Sequence, residues 1–170
     1  ALKVLLVHYD KCTGCRICEL VCSAQHYGRF QPASSRIRVV KHDRESLDVP
    51  FLCIHCEAPV CVKVCPSGAL SRDEERGVVS LDEEKCINCN LCVIKCPYHG
   101  AFKDSDGKTI KCDLCGGEPQ CVKFCPTQAL EYAELTPEVE DMRRSFKQEL
   151  LELLRTHSFV SEAVVRIAQG

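Results

Sequence analysis

The sequence of 170 residues contains no tryptophan, one methionine, six phenylalanines and four tyrosines. Large rings therefore cannot supply the bulk of a core. It also lacks any run of 18 apolar residues, and the longest comparable stretch, Leu2 to Val7, is too short to span a bilayer or to act as a signal with a cleavage site. That absence predicts a soluble, cytoplasmic chain without a membrane span. An excess of one charge is missing as well: 22 basic and 24 acidic residues are interspersed, for a formal charge of -2. Nucleic acid is excluded as a partner, because such binding leaves a basic electrostatic footprint. Neither a Gly-rich phosphate loop nor a Ser/His/Asp arrangement occurs. The chain is expected not to be an enzyme.

What the sequence has in excess is cysteine, 16 residues, a load that ordinary globular chains do not carry unused. They also make up part of the 45 % counted as hydrophobic, so the organic core is thin for the length. Searching for repeats resolves them into four groups: Cys12, Cys15, Cys18, Cys22; Cys53, Cys56, Cys61, Cys65; Cys86, Cys89, Cys92, Cys96; and Cys112, Cys115, Cys121, Cys125. None is left over. The first and third are spaced C-x2-C-x2-C-x3-C, and the second and fourth lengthen only the middle gap. Three groups end in Cys-Pro, at Pro66, Pro97 and Pro126, whereas Ser23 follows the first.

Clustered runs make a poor loop-closing disulfide framework. Zinc prefers two-residue pairs separated by a longer arm, without a third cysteine at the next step. Three thiolates two residues apart on a tight loop instead suit three corners of an iron-sulfur cube, and in the bacterial ferredoxin run the fourth cysteine ligates the other cluster. Sixteen cysteines then correspond to four 4Fe-4S clusters with all sixteen as iron ligands. The proline after the fourth cysteine suits the first turn of a helix expected to begin there. With every iron occupied by thiolate, one-electron transfer is the expected chemistry. Lys11, Lys85 and Lys111 precede three of the runs and either soften the field of the clusters or are solvated side chains. His55 and His99 are expected to have a surface or hydrogen-bonding role, not to ligate.

The motifs Asp10-Lys11-Cys12-Thr13-Gly14-Cys15-Arg16-Ile17-Cys18, Cys53-Ile54-His55-Cys56-Glu57-Ala58-Pro59-Val60-Cys61 and Lys111-Cys112-Asp113-Leu114-Cys115 give residues 3–132 a resemblance to the four-cluster electron-transfer subunits of the dimethyl sulfoxide reductase and formate dehydrogenase type. In size and layout the chain is also similar to the small subunits of tungsten aldehyde oxidoreductase complexes and tungsten benzoyl-CoA reductases. The resemblance implies an α+β fold of two ferredoxin-like lobes, an outer one (1–30 and 105–135) and an inner one (31–104) inserted into it. It implies the ligand sets Cys12, Cys15, Cys18 and Cys125; Cys112, Cys115, Cys121 and Cys22; Cys53, Cys56, Cys61 and Cys96; and Cys86, Cys89, Cys92 and Cys65. Sequential pairing of neighbouring runs stays open from local spacing. The implied partner is a large catalytic subunit, a tungsten or molybdenum pterin enzyme being favoured over carbon monoxide dehydrogenase or soluble formate dehydrogenase, with a flavin/NAD protein or ferredoxin as a second redox partner. The alternative is a freely diffusing polyferredoxin. Such lobes fold as their clusters are built, so an anaerobic setting is expected.

Short apolar alternations predict strands at Val78 to Asp82 and at Leu2 to Val7, the latter pairing with Ala129 to Leu135. Arg36 to Lys41 reads as a strand with a basic face, either solvated or docking a partner. Beyond Leu135, Thr136 is a helix cap with Pro137 behind it, and Val139, Met142, Phe146, Leu150 and Leu153 form a stripe widened by Leu151 and Leu154. This tail, 136–170, is expected to dock or self-associate through residues 137–168, the alternative being that it packs on its own lobes.

Overall fold

The computed structural model describes residues 2–42 and 46–157. It is an α+β structure of four two-stranded antiparallel sheets and five helices among the described residues. Strand β1 (Lys3–Val7) pairs with β8 (Leu130–Glu134), joining the two ends of the cysteine region with Leu5 opposite Tyr132. Between them lie the hairpins of β2 (Ile37–His42) with β3 (Leu47–Leu52), β4 (Leu70–Asp73) with β5 (Val78–Leu81), and β6 (Ala101–Lys103) with β7 (Thr109–Lys111). The β6–β7 turn is built on Asp104, whose carboxylate accepts the amides of Asp106 and Lys108 at 2.9 Å each. That hairpin spans residues 104 and 105, where the expected inner and outer lobes meet.

The hairpin of β2 and β3 is covered on both faces, which a strand of period two can only be when each face feeds a different core. Val40, Val49 and Phe51 join one core with Leu70, Val79 and Phe102. Ile37, Val39 and Leu52 join another with Leu5, Val7, Leu114 and Leu130. Of the cations expected on the basic face of β2, Arg36 and Arg38 are turned inward, whereas Lys41 is exposed. Arg38 is buried, lies over the Phe102 ring at 5.4 Å and donates to the Ser35 and Lys103 carbonyls at 3.0 Å. Arg36 pairs with Asp113 at 2.8 Å. Neither cation is free to dock a partner.

Helix α1 (Ile17–Tyr27) runs through the last cysteines of the first group, while α2 (Val60–Lys63), α3 (Leu91–Ile94) and α4 (Gln120–Lys123) are single turns. Each single turn carries the third cysteine of its run and ends before the fourth. The expectation of a helix starting at the fourth cysteine is therefore reversed, because proline restricts the residue before it to extended backbone and closes the turn. Ser23 lifts that restriction in the first run, and α1 runs on past it to Tyr27, 11 residues in all. Its hydroxyl donates to the Leu20 carbonyl at 2.9 Å and accepts the Gln31 amide at 3.0 Å.

Helix α5 (Pro137–Thr156) begins as expected, with the Thr136 hydroxyl accepting the Val139 amide at 3.3 Å. Its stripe turns inward. Leu150 and Leu153 are buried in the Phe51 core, Phe146 touches both cores, and buried Arg143 donates to the Ile54 carbonyl at 3.0 Å. The face assigned to self-association is thus used within the chain, leaving Met142 and Leu151 exposed. Residues 158–170, the rest of the expected docking tail, lie outside the described residues. No described helix is long and apolar enough to cross a membrane.

Candidate metal centres

In each run the residue just before the second cysteine has left-handed backbone: Gly14 at φ 63°, His55 at 48°, Asn88 at 53° and Leu114 at 56°. This conformation turns successive N–H groups inward, and such nests hold anions and iron-sulfur groups. The amides of His55 and Leu114 donate to the first sulfur of their runs, Cys53 at 3.3 Å and Cys112 at 3.5 Å. A second repeated turn follows each Cys-Pro, where the amides of Gly68, His99 and Gln128 bond back to the carbonyls of Cys65, Cys96 and Cys125 at 3.3–3.4 Å. Only Gly14 and Asn88 signal the first device in sequence, being residue types that tolerate positive φ.

These loops bring the sixteen cysteines into four sets. Cys12, Cys15, Cys18 and Cys125 line one cavity. Cys53, Cys56, Cys61 and Cys96 line a second, of about 310 Å³, which Cys92 also borders. Cys65, Cys86, Cys89 and Cys92 line a third. Cys22 approaches the fourth run where α1 packs on α4: it shares a core with Cys121, and the His26 ring bridges its carbonyl to Asp113. Cys125 thus lies with three thiols of the first run, Cys96 with three of the second and Cys65 with three of the third.

The surroundings of the four sets differ. Beside Cys18 lies Glu19, buried, with its carboxylate accepting the Val39 amide at 2.6 Å. Burial, followed by the Glu19 charge, drives the Cys18 thiol strongly upward. At Cys22 the Arg36 amide donates to the sulfur at 3.3 Å. The His26 ring faces acceptors with both nitrogens, the Cys22 carbonyl at 2.8 Å and Asp113 at 3.0 Å. Two acceptors favour the imidazolium, and although burial opposes the charge, Asp113 lifts the His26 pKa to about 10. At the Cys86 set the partners are neutral: Ser67 lies 3.7 Å from Cys65 and Asn88 3.6 Å from Cys86.

Cys53 has the most cationic environment. The Lys111 ammonium donates to its sulfur and, at 3.1 Å, to the Val79 carbonyl, while the side chain is 5 % exposed. Burial pushes the Cys53 thiol up, but Lys111 and His55 outweigh it and hold it at about 5. Of the three lysines preceding the runs, Lys111 is buried, whereas Lys85 is exposed and paired with Asp82 at 3.1 Å and Lys11 is exposed. His55 is buried, and its Nδ1 accepts the Val79 amide at 3.0 Å. His99 is half-buried against the Phe51 ring at 6.4 Å.

Several features fit a sulfur-ligated iron cluster in these cavities. The donor sets are wholly thiol, suited to iron-sulfur groups and not to hard cations. Buried Thr109 Oγ1, on a residue lining the Cys86 cavity, and His55 Nε2 can each donate and lack a hydrogen-bond partner among the described residues. Gly100, which lines the Cys53 cavity, lets the backbone pass close to Cys53, since an added Cβ would fall 2.7 Å from the Cys53 Cα.

Two models described as 4Fe-4S dicluster domain match the sequence, one over residues 45–135 and one over 11–70. The chain belongs to the 4Fe-4S dicluster family. Two dicluster matches and sixteen cysteines account for four 4Fe-4S clusters. Among curated members, the polyferredoxin-like subunit of aliphatic sulfonate oxidoreductase from Pyrococcus furiosus is 45 % identical over 71 % of this chain and 70 % of its own. An anaerobic dimethyl sulfoxide reductase subunit from Escherichia coli is 35 % identical over 74 % of this chain and 70 % of its own. The beta subunit of NADH-dependent phenylglyoxylate dehydrogenase from Aromatoleum evansii is 40 % identical over 80 % of this chain, and the match spans 32 % of that protein. A component of the BamBC active-site complex of benzoyl coenzyme A reductase with 1,5-dienoyl-CoA aligns over 97 % of both proteins at 30 % identity and a TM-score of 0.47. Like its dicluster relatives, the protein is a non-catalytic iron-sulfur electron-transfer subunit of an oxidoreductase complex.

Proposed function

We propose that the sixteen cysteines hold four clusters as a single wire through two nested ferredoxin-like lobes. The outer lobe is formed by the first and fourth runs and the inner by the second and third. The observation that carries this reading is the gathering of the thiols around three cavities, with Cys92 bordering both the Cys53 and the Cys86 cavities. Interactions between sets support a linear order. Cys18 and Cys121 share a core, Lys111 beside Cys112 donates to Cys53, and Cys92 borders the Cys53 cavity, so the path runs from the Cys12 set through the Cys112 and Cys53 sets to the Cys86 set. The exposed thiols Cys15 and Cys89 belong to its two terminal sets, where electrons enter and leave. The clusters supply one-electron chemistry, while the protein sets their potentials through charge, hydrogen bonds and exposure.

At one end the partner is a large catalytic subunit with a tungsten or molybdenum pterin centre, as the resemblance in the cysteine motifs implies. At the other it is a flavin/NAD protein or a ferredoxin. Names of relatives as subunits of sulfonate oxidoreductase and dimethyl sulfoxide reductase support a catalytic neighbour over a freely diffusing carrier. Anaerobic purification of the full chain from its source, followed by metal analysis, tests this. A large subunit carrying tungsten or molybdenum is the expected companion. Isolation of the chain alone, or with a subunit lacking both metals, contradicts the assignment.

A further inference from the structure

We propose that Lys111 makes the Cys53 set the highest-potential site of the four, the point where an electron rests between the outer and inner lobes. The inference rests on the four-cluster reading above. Adding one electron to a cluster held by four thiolates adds one negative charge, so a fixed neighbouring cation favours the reduced form and a fixed anion opposes it. The strength of that bias depends on burial, because solvent and salt screen exposed charges and leave buried ones nearly unscreened.

By this criterion the sets are unequal. Lys111 is 5 % exposed and donates directly to the Cys53 sulfur, which also accepts the His55 amide. The His55 ring accepts the Val79 amide through Nδ1, which leaves its proton on Nε2, a second buried donor without a protein partner among the described residues. At the Cys12 set the charges are mixed: Asp48 and buried Glu19 lie by its thiols, while Arg16 lines the cavity and buried Arg38 faces Glu19. The Cys112 set has a mixed environment in which Asp113 offsets His26 and Arg36. Neutral Ser67 and Asn88 serve the Cys86 set. Lys111 also adjoins Cys112, so its charge lies at the junction of the two central sets.

A potentiometric titration followed by electron paramagnetic resonance on the reconstituted full chain tests the role. In Lys111→Met the highest midpoint should fall by at least a tenfold change in its reduction equilibrium, about 59 mV for one electron. The two terminal signals should stay in place, and Lys111→Arg, which keeps the charge, should remain near the parent. Equal shifts in the Met and Arg variants, or no shift in the Met variant, overturn the proposal. Should Lys111→Met fail to assemble, Cys56→Ser decides it: altered ligation there must change the signal of highest midpoint, and a change in any other signal overturns the assignment. Iron content separates the two claims. About sixteen irons with an unmoved midpoint removes the role of Lys111 alone. Fewer than four clusters removes the reading beneath it, and the role with it.

Discussion

Gly14, His55, Asn88 and Leu114 occupy the same place in four runs and share one backbone conformation, yet only the glycine and the asparagine belong to types that adopt it readily. At His55 and Leu114 the surrounding structure over-determines the turn, since both are buried and held by the sulfur their amides meet. A sequence reader sees the glycine and misses the histidine for that reason. The same holds for Lys111, which is indistinguishable in sequence from Lys11 and Lys85 until β7 carries it into the core. Gly14 also faces the Asp48 carboxylate, with an added Cβ falling 2.4 Å from Oδ1. Gly14→Ala should therefore cost about 1–2 kcal/mol in backbone strain alone, with more from that clash. Thermal unfolding under anaerobic conditions should show a lower midpoint together with preferential iron loss from one cluster. An unchanged midpoint contradicts the role assigned to the turn.

Among the elements, those with regular periodicity were readable. The strand at β5, the pairing of β1 with β8 and the cap and stripe of α5 all follow from alternation, three-four spacing and the Thr136-Pro137 start. Direction of burial was not readable for α5 or β2, because an apolar stripe or a basic face does not state whether its neighbour is another molecule or the rest of the same chain. Leu150 and Arg143 answer that for α5, and Arg38 for β2. The helices around the cysteines turn on one position. Proline after the fourth cysteine ends α2, α3 and α4, and Ser23 in its place lets α1 continue. Ser23→Pro should break α1 at that point, costing about 3 kcal/mol or more and removing the bond to Gln31. Circular dichroism should register lost helix and denaturation a lower midpoint. A variant of parental helicity and stability contradicts this account of α1.

For the molecule as a whole, the thin organic core anticipated from composition is two modest cores that share one hairpin, with the cysteine sets packed against them. Cys18, Cys22, Cys53, Cys92 and Cys121 are themselves buried core residues, so metal binding and folding are coupled in the proposed assembly. Spacing made the four groups legible and left their pairing open. The pairing of β1 with β8 closes the chain and brings the first run against the fourth, a long-range contact that local spacing cannot encode. Iron anomalous diffraction from anaerobically grown crystals of the reconstituted chain tests the account most directly. It predicts four clusters, with Cys125 joining Cys12, Cys15 and Cys18, and Cys22 joining Cys112, Cys115 and Cys121. Fewer than four clusters, or Cys22 and Cys65 bound within one lobe, would contradict it.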